Sequence, residues 1–222
     1  MTPAVLFSSG LDSAVLLADA FARHGSAQPI YVSSGLAWEG EERRVAERFL
    51  ATLTAKGMAS QLAVLGVDMR DVYPATHWAI RGEAPGFDTP DTDVYLEGRN
   101  IVLLSKAAVF SARSGLSRIL IGPLAGNPFP DATPAFFEAM SRALSIGLGR
   151  EIQIEAPLLD LHKEDVIRLG RALGVPFELT LSCMQPVGGR HCGGCSKCRE
   201  RRDGFRDAGV EDPTRYAAAP VR

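Results

Sequence analysis

The chain has 222 residues, of which 46% are hydrophobic and 23% are charged, a composition typical of a globular protein with a sizeable core. Its formal net charge of −2 gives no reason to expect a nucleic-acid partner, because proteins that bind nucleic acids usually carry a basic surface. No apolar run approaches membrane-spanning length and the first residues show no export signal, so we expect a cytoplasmic protein without a membrane partner.

Short apolar runs alternate with longer amphipathic segments along the chain. In chain order, the pattern predicts a strand at 4–7, a helix at 12–24, a strand at 29–33, a helix at 39–56, a strand at 61–67, a helix at 100–113, a strand at 118–121, a helix at 133–146, a strand at 152–155 and a helix at 163–173. Strands that alternate with helices usually form a parallel sheet covered on both faces. We therefore expect an α/β fold that binds its ligands at the carboxyl ends of the strands.

One long segment, residues 68–96, shows no clear periodicity and is rich in proline and glycine. A loop of that length within a compact domain is usually either a functional lid or a disordered segment. For His77 and Trp78 within it, we expect a packing or surface role.

A turn rich in serine separates the first predicted strand from the first predicted helix. Its residues are Ser8, Ser9, Gly10, Leu11, Asp12 and Ser13. The unpaired N–H groups at the start of a helix attract anions, glycine relaxes the backbone, and the Asp12 carboxylate could hold a magnesium ion that bridges phosphates. The alternative is an ordinary helix N-cap formed by Ser or Asp. The turn is not a Walker A loop, because it lacks G-x4-G-K-[ST].

All four cysteines lie in one stretch near the C-terminus, with the spacing C-x8-C-x2-C-x2-C. They are Cys183, Cys192, Cys195 and Cys198. Four thiolates suit a closed, tetrahedral, structural zinc site. The alternative of two disulfides is disfavoured, because the gaps are short and an export signal is lacking. The basic cluster that follows, Arg199, Arg201 and Arg202, is compatible with a solvated helix face or with a phosphate site.

The turn at residues 8–13 resembles the S-G-G-x-D-S pyrophosphate loop of the N-type ATP pyrophosphatases, with Ser9 at a position that those enzymes fill with glycine. Two further blocks are the Gly98-Arg99-Asn100 run that opens a helix, and residues 157–216, which contain the cysteine tetrad. Together with the turn, they resemble the 7-cyano-7-deazaguanine synthases of queuosine biosynthesis. The resemblance implies a five-stranded parallel sheet of the adenine-nucleotide α-hydrolase type at residues 1–178, flanked by helices, with a small zinc-binding region at 179–222 packed on it.

The resemblance also implies an activity, that of an ATP-dependent carbon–nitrogen ligase. Such an enzyme adenylates the carboxylate of 7-carboxy-7-deazaguanine, and ammonia displaces AMP to give an amide. A second adenylation then drives dehydration of the amide to the nitrile. The implied cofactors are ATP with magnesium and one structural zinc per chain, and the implied assembly is a homodimer.

On that basis residues 8–13 bind ATP, and Lys163 and Arg99 are the catalytic candidates, which contact phosphates or the substrate carboxylate. Ordinary surface positions are the alternatives for both. Asn100 is either a substrate contact or a helix N-cap. Phe129 either stacks on the purine-like ring or packs in the core, and Asp131 either accepts hydrogen bonds from the base or forms a turn.

The chain departs from the family pattern at residues 33–36, 122–127 and 132–133, which follow predicted strands. A homologous ligase that acts on another carboxylate, or that passes the deazapurine acyl group to a different amine, therefore stays open. Transfer-RNA thiolation is disfavoured, because it normally needs a cysteine apart from the metal ligands. A non-catalytic nucleotide-binding zinc protein is disfavoured by the retained Asp12, Ser13, Arg99 and Lys163.

Overall fold

A parallel sheet forms the centre of the computed structural model, which describes residues 1–54 and 61–218. Its five strands are β1 (Ala4–Leu6), β2 (Gln28–Ser33), β3 (Ala63–Gly66), β4 (Arg118–Leu120) and β5 (Gln153–Glu155). They lie in the order β3-β2-β1-β4-β5, and every neighbouring pair is parallel. The predicted α/β architecture is confirmed. Because the chain builds the sheet outwards from β1 in both directions, a crevice opens between the ends of β1 and β4, where such sheets bind ligands.

The helices cover both faces of this sheet. They are α1 (Leu11–His24), α2 (Glu39–Thr54), α3 (Trp78–Arg81), α4 (Arg99–Arg113), α5 (Pro134–Leu148), α6 (Lys163–Ala172) and α7 (Ser196–Ala208). The five predicted helices are confirmed to within a few residues, although the predicted end of the second, residue 56, lies outside the described part of the chain. The short α3 and the helix α7 were not predicted. No helix in the described ranges is both long and apolar enough to cross a bilayer.

Alternation along β1 divides the core into two layers. Val5 points into the layer that contains α1, α2 and α6, whereas Ala4 and Leu6 point into the layer under α4 and α5. Strands that are buried on both faces are continuous apolar runs, which is why Ala4–Leu6 lacks a polar alternation. The short central strand thus fixes the position at which the following turn leaves the sheet.

The segment at residues 68–96 is packed, so its disordered alternative is wrong. It carries α3 and a single 3-10 turn at Asp91–Val94, and its Tyr73, Val94 and Leu96 are buried in a cluster with Trp38. The predicted packing role of His77 and Trp78 is confirmed. His77 Nδ1 accepts the Ala79 N–H at 3.2 Å, and Trp78 stacks on Trp38 with ring centroids 5.7 Å apart.

The C-terminal region joins the same core through α7. Phe205 is buried among residues of α1 and α6. Arg201, on the same helix, is 1% exposed and donates to the Thr180 hydroxyl at 2.8 Å and to the Phe177 carbonyl at 2.9 Å. The solvated-face interpretation is therefore wrong for Arg201, which clamps α7 to the preceding segment through buried hydrogen bonds. The sequence concealed this, because a buried arginine and a surface arginine have the same local pattern.

Candidate functional site

The serine-rich turn leaves β1 and opens α1 with its backbone donors unblocked. The N-cap of α1 is Gly10, and no side chain caps this helix among the described residues, so the interpretation of the turn as a Ser or Asp N-cap is wrong. Ser13 Oγ donates to the Gly10 carbonyl at 3.0 Å and accepts the Ser8 N–H at 3.3 Å. These hydrogen bonds fix the turn from within, and the first N–H groups of α1 with their partial positive charge stay available for an anion.

Ser9 adopts a backbone conformation that favours glycine, with φ at 62°. Its side chain is fully buried, and its Oγ donates to the Glu42 carbonyl of α2 at 3.0 Å. Its own carbonyl accepts the Leu181 N–H at 2.8 Å. A left-handed conformation costs a non-glycine residue about 1–2 kcal/mol. The buried hydrogen bond offsets part of that cost, so Ser9 ties the turn to α2 and presents only its backbone to the site.

Two carboxylates and two ammonium groups meet beside this turn. Lys163 Nζ lies 2.8 and 2.7 Å from the two Asp12 carboxylate oxygens and 2.6 Å from Glu200 Oε1. Glu200 Oε2 lies 2.6 Å from Lys197 Nζ. The side chain of Lys163 is only 16% exposed, so its interpretation as a surface residue is wrong.

These contacts favour the charged forms of Lys163 and Glu200. Burial alone would lower the pKa of Lys163, but the neighbouring Asp12 and Glu200 carboxylates raise it above its ordinary value. Burial alone would raise the pKa of Glu200, but Lys163 and Lys197 lower it below its ordinary value. A permanently charged ammonium group therefore lies at the amino end of α1.

Arg99 is the first residue of α4, and its guanidinium group borders the space above the turn. Its Nε is buried and has no hydrogen-bond partner among the described residues. A buried donor without a partner is costly, and a carboxylate or phosphate oxygen would remove that cost. The surface interpretation of Arg99 is therefore disfavoured by its surroundings.

Asn100 and Asp131 contact each other. The Asn100 backbone N–H donates to Asp131 Oδ2 at 3.1 Å, and Asn100 Nδ2 donates to the Asp131 carbonyl at 3.0 Å. The N-cap of α4 is Gly98, so the N-cap interpretation of Asn100 is wrong. Burial raises the pKa of Asp131, although the hydrogen bonds from Asn100 act in the opposite direction. Asn100 borders the cavity, and Phe129 beside it stacks on Tyr95 with centroids 5.0 Å apart.

Two adjoining cavities of about 260 Å³ each lie among these residues, and the buried Asp131 lines neither of them. Both are lined by Ser8, Gly10, Asp12, Glu42, Arg99 and Phe129. One extends past the end of β4, and the other extends between Trp38, Trp78 and Lys163. A larger hollow of about 970 Å³ lies between α2 and the C-terminal region, and none of the predicted ATP or catalytic residues lines it. The smaller pair, at the sheet crevice, is therefore the candidate site.

The cavities are also lined by three residues that the sequence did not single out, which are Tyr31, Trp38 and Glu42. Glu42 is buried at the cavity wall, and its carboxylate accepts the Tyr31 hydroxyl at 3.0 Å and Trp38 Nε1 at 3.1 Å. Burial raises the pKa of Glu42 to about 7. No sequence signal distinguished Glu42, because α2 carries several other acidic residues in an ordinary amphipathic pattern.

The four cysteines converge on one point. Their Sγ atoms all lie within 4.8 Å of one another, and the closest pairs are Cys195–Cys198 at 3.5 Å and Cys192–Cys198 at 3.9 Å. All four are free thiols, so the disulfide alternative is wrong. A tetrahedral metal with bonds of about 2.3 Å to sulfur has edges of about 3.8 Å. The tetrad could therefore hold a metal ion, and backbone N–H groups already point at Cys183 and Cys192 sulfur.

Comparisons with known proteins give matches to one family. A family model described as queuosine biosynthesis protein QueC matches residues 3–209. The chain is 38% identical to a 7-cyano-7-deazaguanine synthase of Anaeromyxobacter dehalogenans (strain 2CP-C), over 96% of this chain and 94% of the relative. It is also 38% identical to a 7-cyano-7-deazaguanine synthase of Azoarcus sp. (strain BH72), over 96% of each.

Among solved structures, the fold is similar to that of the U34-tRNA thiolase NcsA from Methanococcus maripaludis. The TM-score is 0.50 at 14% identity, over 99% of this chain and 76% of that one. A similarity at so low an identity concerns the fold alone.

Proposed function

The chain belongs to the queuosine biosynthesis protein QueC family, and on that premise we propose that it is an ATP-dependent carbon–nitrogen ligase. Its reaction adenylates the carboxylate of 7-carboxy-7-deazaguanine and joins the acyl group to ammonia. Adenylation and dehydration of the amide then give 7-cyano-7-deazaguanine. The proposal is supported by relatives named 7-cyano-7-deazaguanine synthase, which are more than one-third identical to the chain over nearly its whole length.

One observation supports the adenylation chemistry most strongly. The open amino end of α1, the Asp12–Lys163 ion pair and the unpaired Arg99 Nε all border the same pair of cavities. A carboxylate is a poor acyl donor because it would have to expel oxide, whereas AMP is a good leaving group. The residues therefore have to align the carboxylate with the α-phosphorus and balance the charge that develops on the phosphates.

Each group has a role that its position supports. The backbone N–H groups of residues 8–13 and the hydroxyls of Ser8 and Ser13 hold the pyrophosphate end of ATP. Lys163 donates from its ammonium group to phosphate oxygens as charge develops there. Arg99 binds either a phosphate or the substrate carboxylate with the fork of donors that includes its unpaired Nε. The Asp12 carboxylate would hold magnesium, which supplies positive charge between phosphate oxygens when bound.

The base-binding end of the cavity is formed by Phe129 and Asn100. Phe129 offers a ring face for stacking, and Asn100 lines the cavity beside it. Asp131 is buried behind Asn100 and holds it through three hydrogen bonds, so its part in base recognition would be to orient Asn100.

We propose that the cysteine tetrad holds one zinc ion per chain. Four thiolates leave no open coordination position, so the ion would fix the geometry of the C-terminal turn and take no part in the chemistry. The division into residues 1–178 and a metal-binding region at 179–222 is part of the same proposal, and residues 219–222 lie outside the described chain. Cytoplasmic location accords with four reduced thiols.

A homodimer is also proposed. The family resemblance supports it, and so does α5, an apolar helix in which only Phe137 is buried within the single chain. Its Ala139, Ala143 and Ile146 are exposed to solvent in the monomer. Light scattering on the purified protein should give the mass of two chains, and the mass of one chain would contradict this.

Pyrophosphate release tests the adenylation directly. With ATP and magnesium, the rate should depend on 7-carboxy-7-deazaguanine, and ammonia should raise the total released toward two pyrophosphates per product. Release with a different carboxylate alone, or a dependence on a different amine, would favour the homologous ligases that the sequence leaves open. If no carboxylate supports release, the enzymatic proposal is wrong.

A further inference from the structure

We propose that Glu200 is a positioning residue for Lys163, and that α7, the helix leaving the cysteine turn, is thereby part of the phosphate-binding machinery. The inference rests on the function proposed above, and it assigns a role in that function to a helix that otherwise only packs against the sheet domain. Three observations carry it.

The first is the geometry of the ammonium group. Lys163 Nζ is held from two sides, by Asp12 at 2.7 Å and by Glu200 at 2.6 Å. Asp12 belongs to the phosphate turn, whereas Glu200 belongs to α7. Lys197, one turn earlier on α7, fixes the other Glu200 oxygen at 2.6 Å. The Glu200 carboxylate thus has a partner within α7 itself in addition to Lys163.

The second observation concerns the stem of the lysine. Its methylene groups cross α7 at Gly204, where any added Cβ would overlap Lys163 Cγ and would lie 3.0 Å from Ile167 Cδ1. A glycine inside a helix costs stability, about 1 kcal/mol relative to alanine, so its presence at the crossing is explained by this close approach. The helix α7 therefore accommodates both the stem and the head of Lys163.

The third observation is that Lys163 has two carboxylate partners, Asp12 and Glu200, so one of them can take a second task. If Asp12 held magnesium with ATP, its carboxylate would be shared between the cation and the ammonium group. Glu200 would then remain as the protein anion that keeps Lys163 directed toward the phosphates. Without Glu200, the flexible Lys163 side chain could adopt other rotamers. Its ammonium group would then not be directed toward the phosphates when charge develops on them.

The cysteine turn fixes where this carboxylate stands. Cys195 is the N-cap of α7, and Cys198 lies in its first turn, two residues before Glu200. Any ion held by the tetrad therefore anchors the end of α7 that carries Glu200. The first turn of α7 thus connects the proposed metal site to Lys163 through Glu200.

The test is a double-mutant cycle on the affinity for magnesium pyrophosphate, measured by titration calorimetry. The four proteins are the wild type, Glu200→Gln, Lys163→Met and the double variant. We expect Lys163→Met to weaken binding about tenfold and Glu200→Gln about threefold. In the double variant, Glu200→Gln should add nothing to the loss from Lys163→Met, because its effect passes through the lysine.

Matched controls separate this role from general charge and from stability. Glu164→Gln removes the same charge from the neighbour of Lys163 in α6, and it should change affinity less than Glu200→Gln does. Metal content and melting temperature should match the wild type in each variant that is compared. If Glu200→Gln does not fold, Glu200→Asp, which withdraws the carboxylate by one methylene group, is measured in the same cycle.

The possible results distinguish a failure of the positioning role of Glu200 from a failure of the proposed function. If wild-type protein binds pyrophosphate and Lys163→Met weakens it, but Glu200→Gln has no effect or an effect that persists without Lys163, the positioning role is wrong. If neither the wild type nor any variant binds pyrophosphate or ATP, the proposed function itself fails, and the positioning role fails with it.

Discussion

The buried carboxyl of Glu42 should make the stability of the protein depend on pH, and Glu42→Gln should abolish that part of the dependence. Burial raises the pKa of Glu42 in the folded protein from an ordinary value of 4.5 to about 7. Between those two values the folded state binds a proton that the unfolded state has already released. Stability therefore falls as pH rises through this window, and it levels off above it.

The magnitude follows from the size of the shift. One pKa unit corresponds to about 1.4 kcal/mol, so a shift from 4.5 to about 7 is worth about 3 kcal/mol, as an upper value. Glutamine cannot ionise, and its shape is close to that of the protonated acid. The difference in unfolding free energy between Glu42→Gln and the wild type should therefore move in favour of the variant by up to about 3 kcal/mol between pH 4.5 and pH 7.

Urea titrations of both proteins at several pH values supply the measurement. Glu47→Gln, on the exposed face of α2, is the matched control for loss of one negative charge from the same helix. A constant offset between Glu42→Gln and the wild type would come from the hydrogen bonds of Tyr31 and Trp38 to the carboxyl group, and it does not bear on the argument. If the difference in unfolding free energy between Glu42→Gln and the wild type is constant from pH 4.5 to about 7, burial does not raise the pKa of Glu42. The same conclusion holds if the difference moves against the variant as pH rises.

Substitutions at three further positions follow from the site. Ser9→Ala should lower the unfolding free energy by about 1 kcal/mol through loss of its buried hydrogen bond. Ser9→Gly loses the same hydrogen bond, but it should recover part of that loss because glycine adopts the left-handed backbone conformation without strain. Equal losses of unfolding free energy for the two variants in urea titrations would contradict this. Cys195→Ala should reduce both the metal content, about one ion per chain by elemental analysis, and the yield of folded protein; a metal-free wild type of full stability would show the tetrad to be no metal site. Arg99→Met should weaken binding of ATP or of the deazapurine carboxylate about tenfold without lowering the melting temperature, since Arg99 Nε has no partner in the described chain. Unchanged affinity for both ligands by calorimetry would remove Arg99 from the site.

The fold could be predicted from the sequence because local patterns determine its parts. Apolar runs and amphipathic segments alternate clearly, and the five strands and five of the longer helices, α1, α2, α4, α5 and α6, follow that alternation. The strand order could not be derived in the same way, because it depends on which strands pair across long connections. The helix α7 was missed because its sequence, SKCRERRDGFRDA, is strongly polar and its buried face is narrow.

The site could be predicted only in part, for a related reason. Local motifs predict the serine-rich turn as a phosphate site and the cysteine tetrad as a metal site, since each is a short run of one kind of chemical group. Asp12 and Lys163 were found separately, but their ion pair joins residues 151 positions apart and has no local signal. Glu42 and Glu200 were not found, because an acidic residue on a helix normally lies in solvent. Burial distinguishes these two carboxylates, and burial is a property of the assembled chain.

The proposed reaction turns a deazapurine carboxylate into a nitrile with nitrogen from ammonia. The most direct measurement is mass spectrometry of the product after incubation with ATP, magnesium, 7-carboxy-7-deazaguanine and isotopically labelled ammonium. We expect 7-cyano-7-deazaguanine carrying a single labelled nitrogen, and loss of that product in Lys163→Met. An unlabelled product, an acyl group on a different amine, or unchanged substrate in the presence of folded, metal-loaded protein would contradict it.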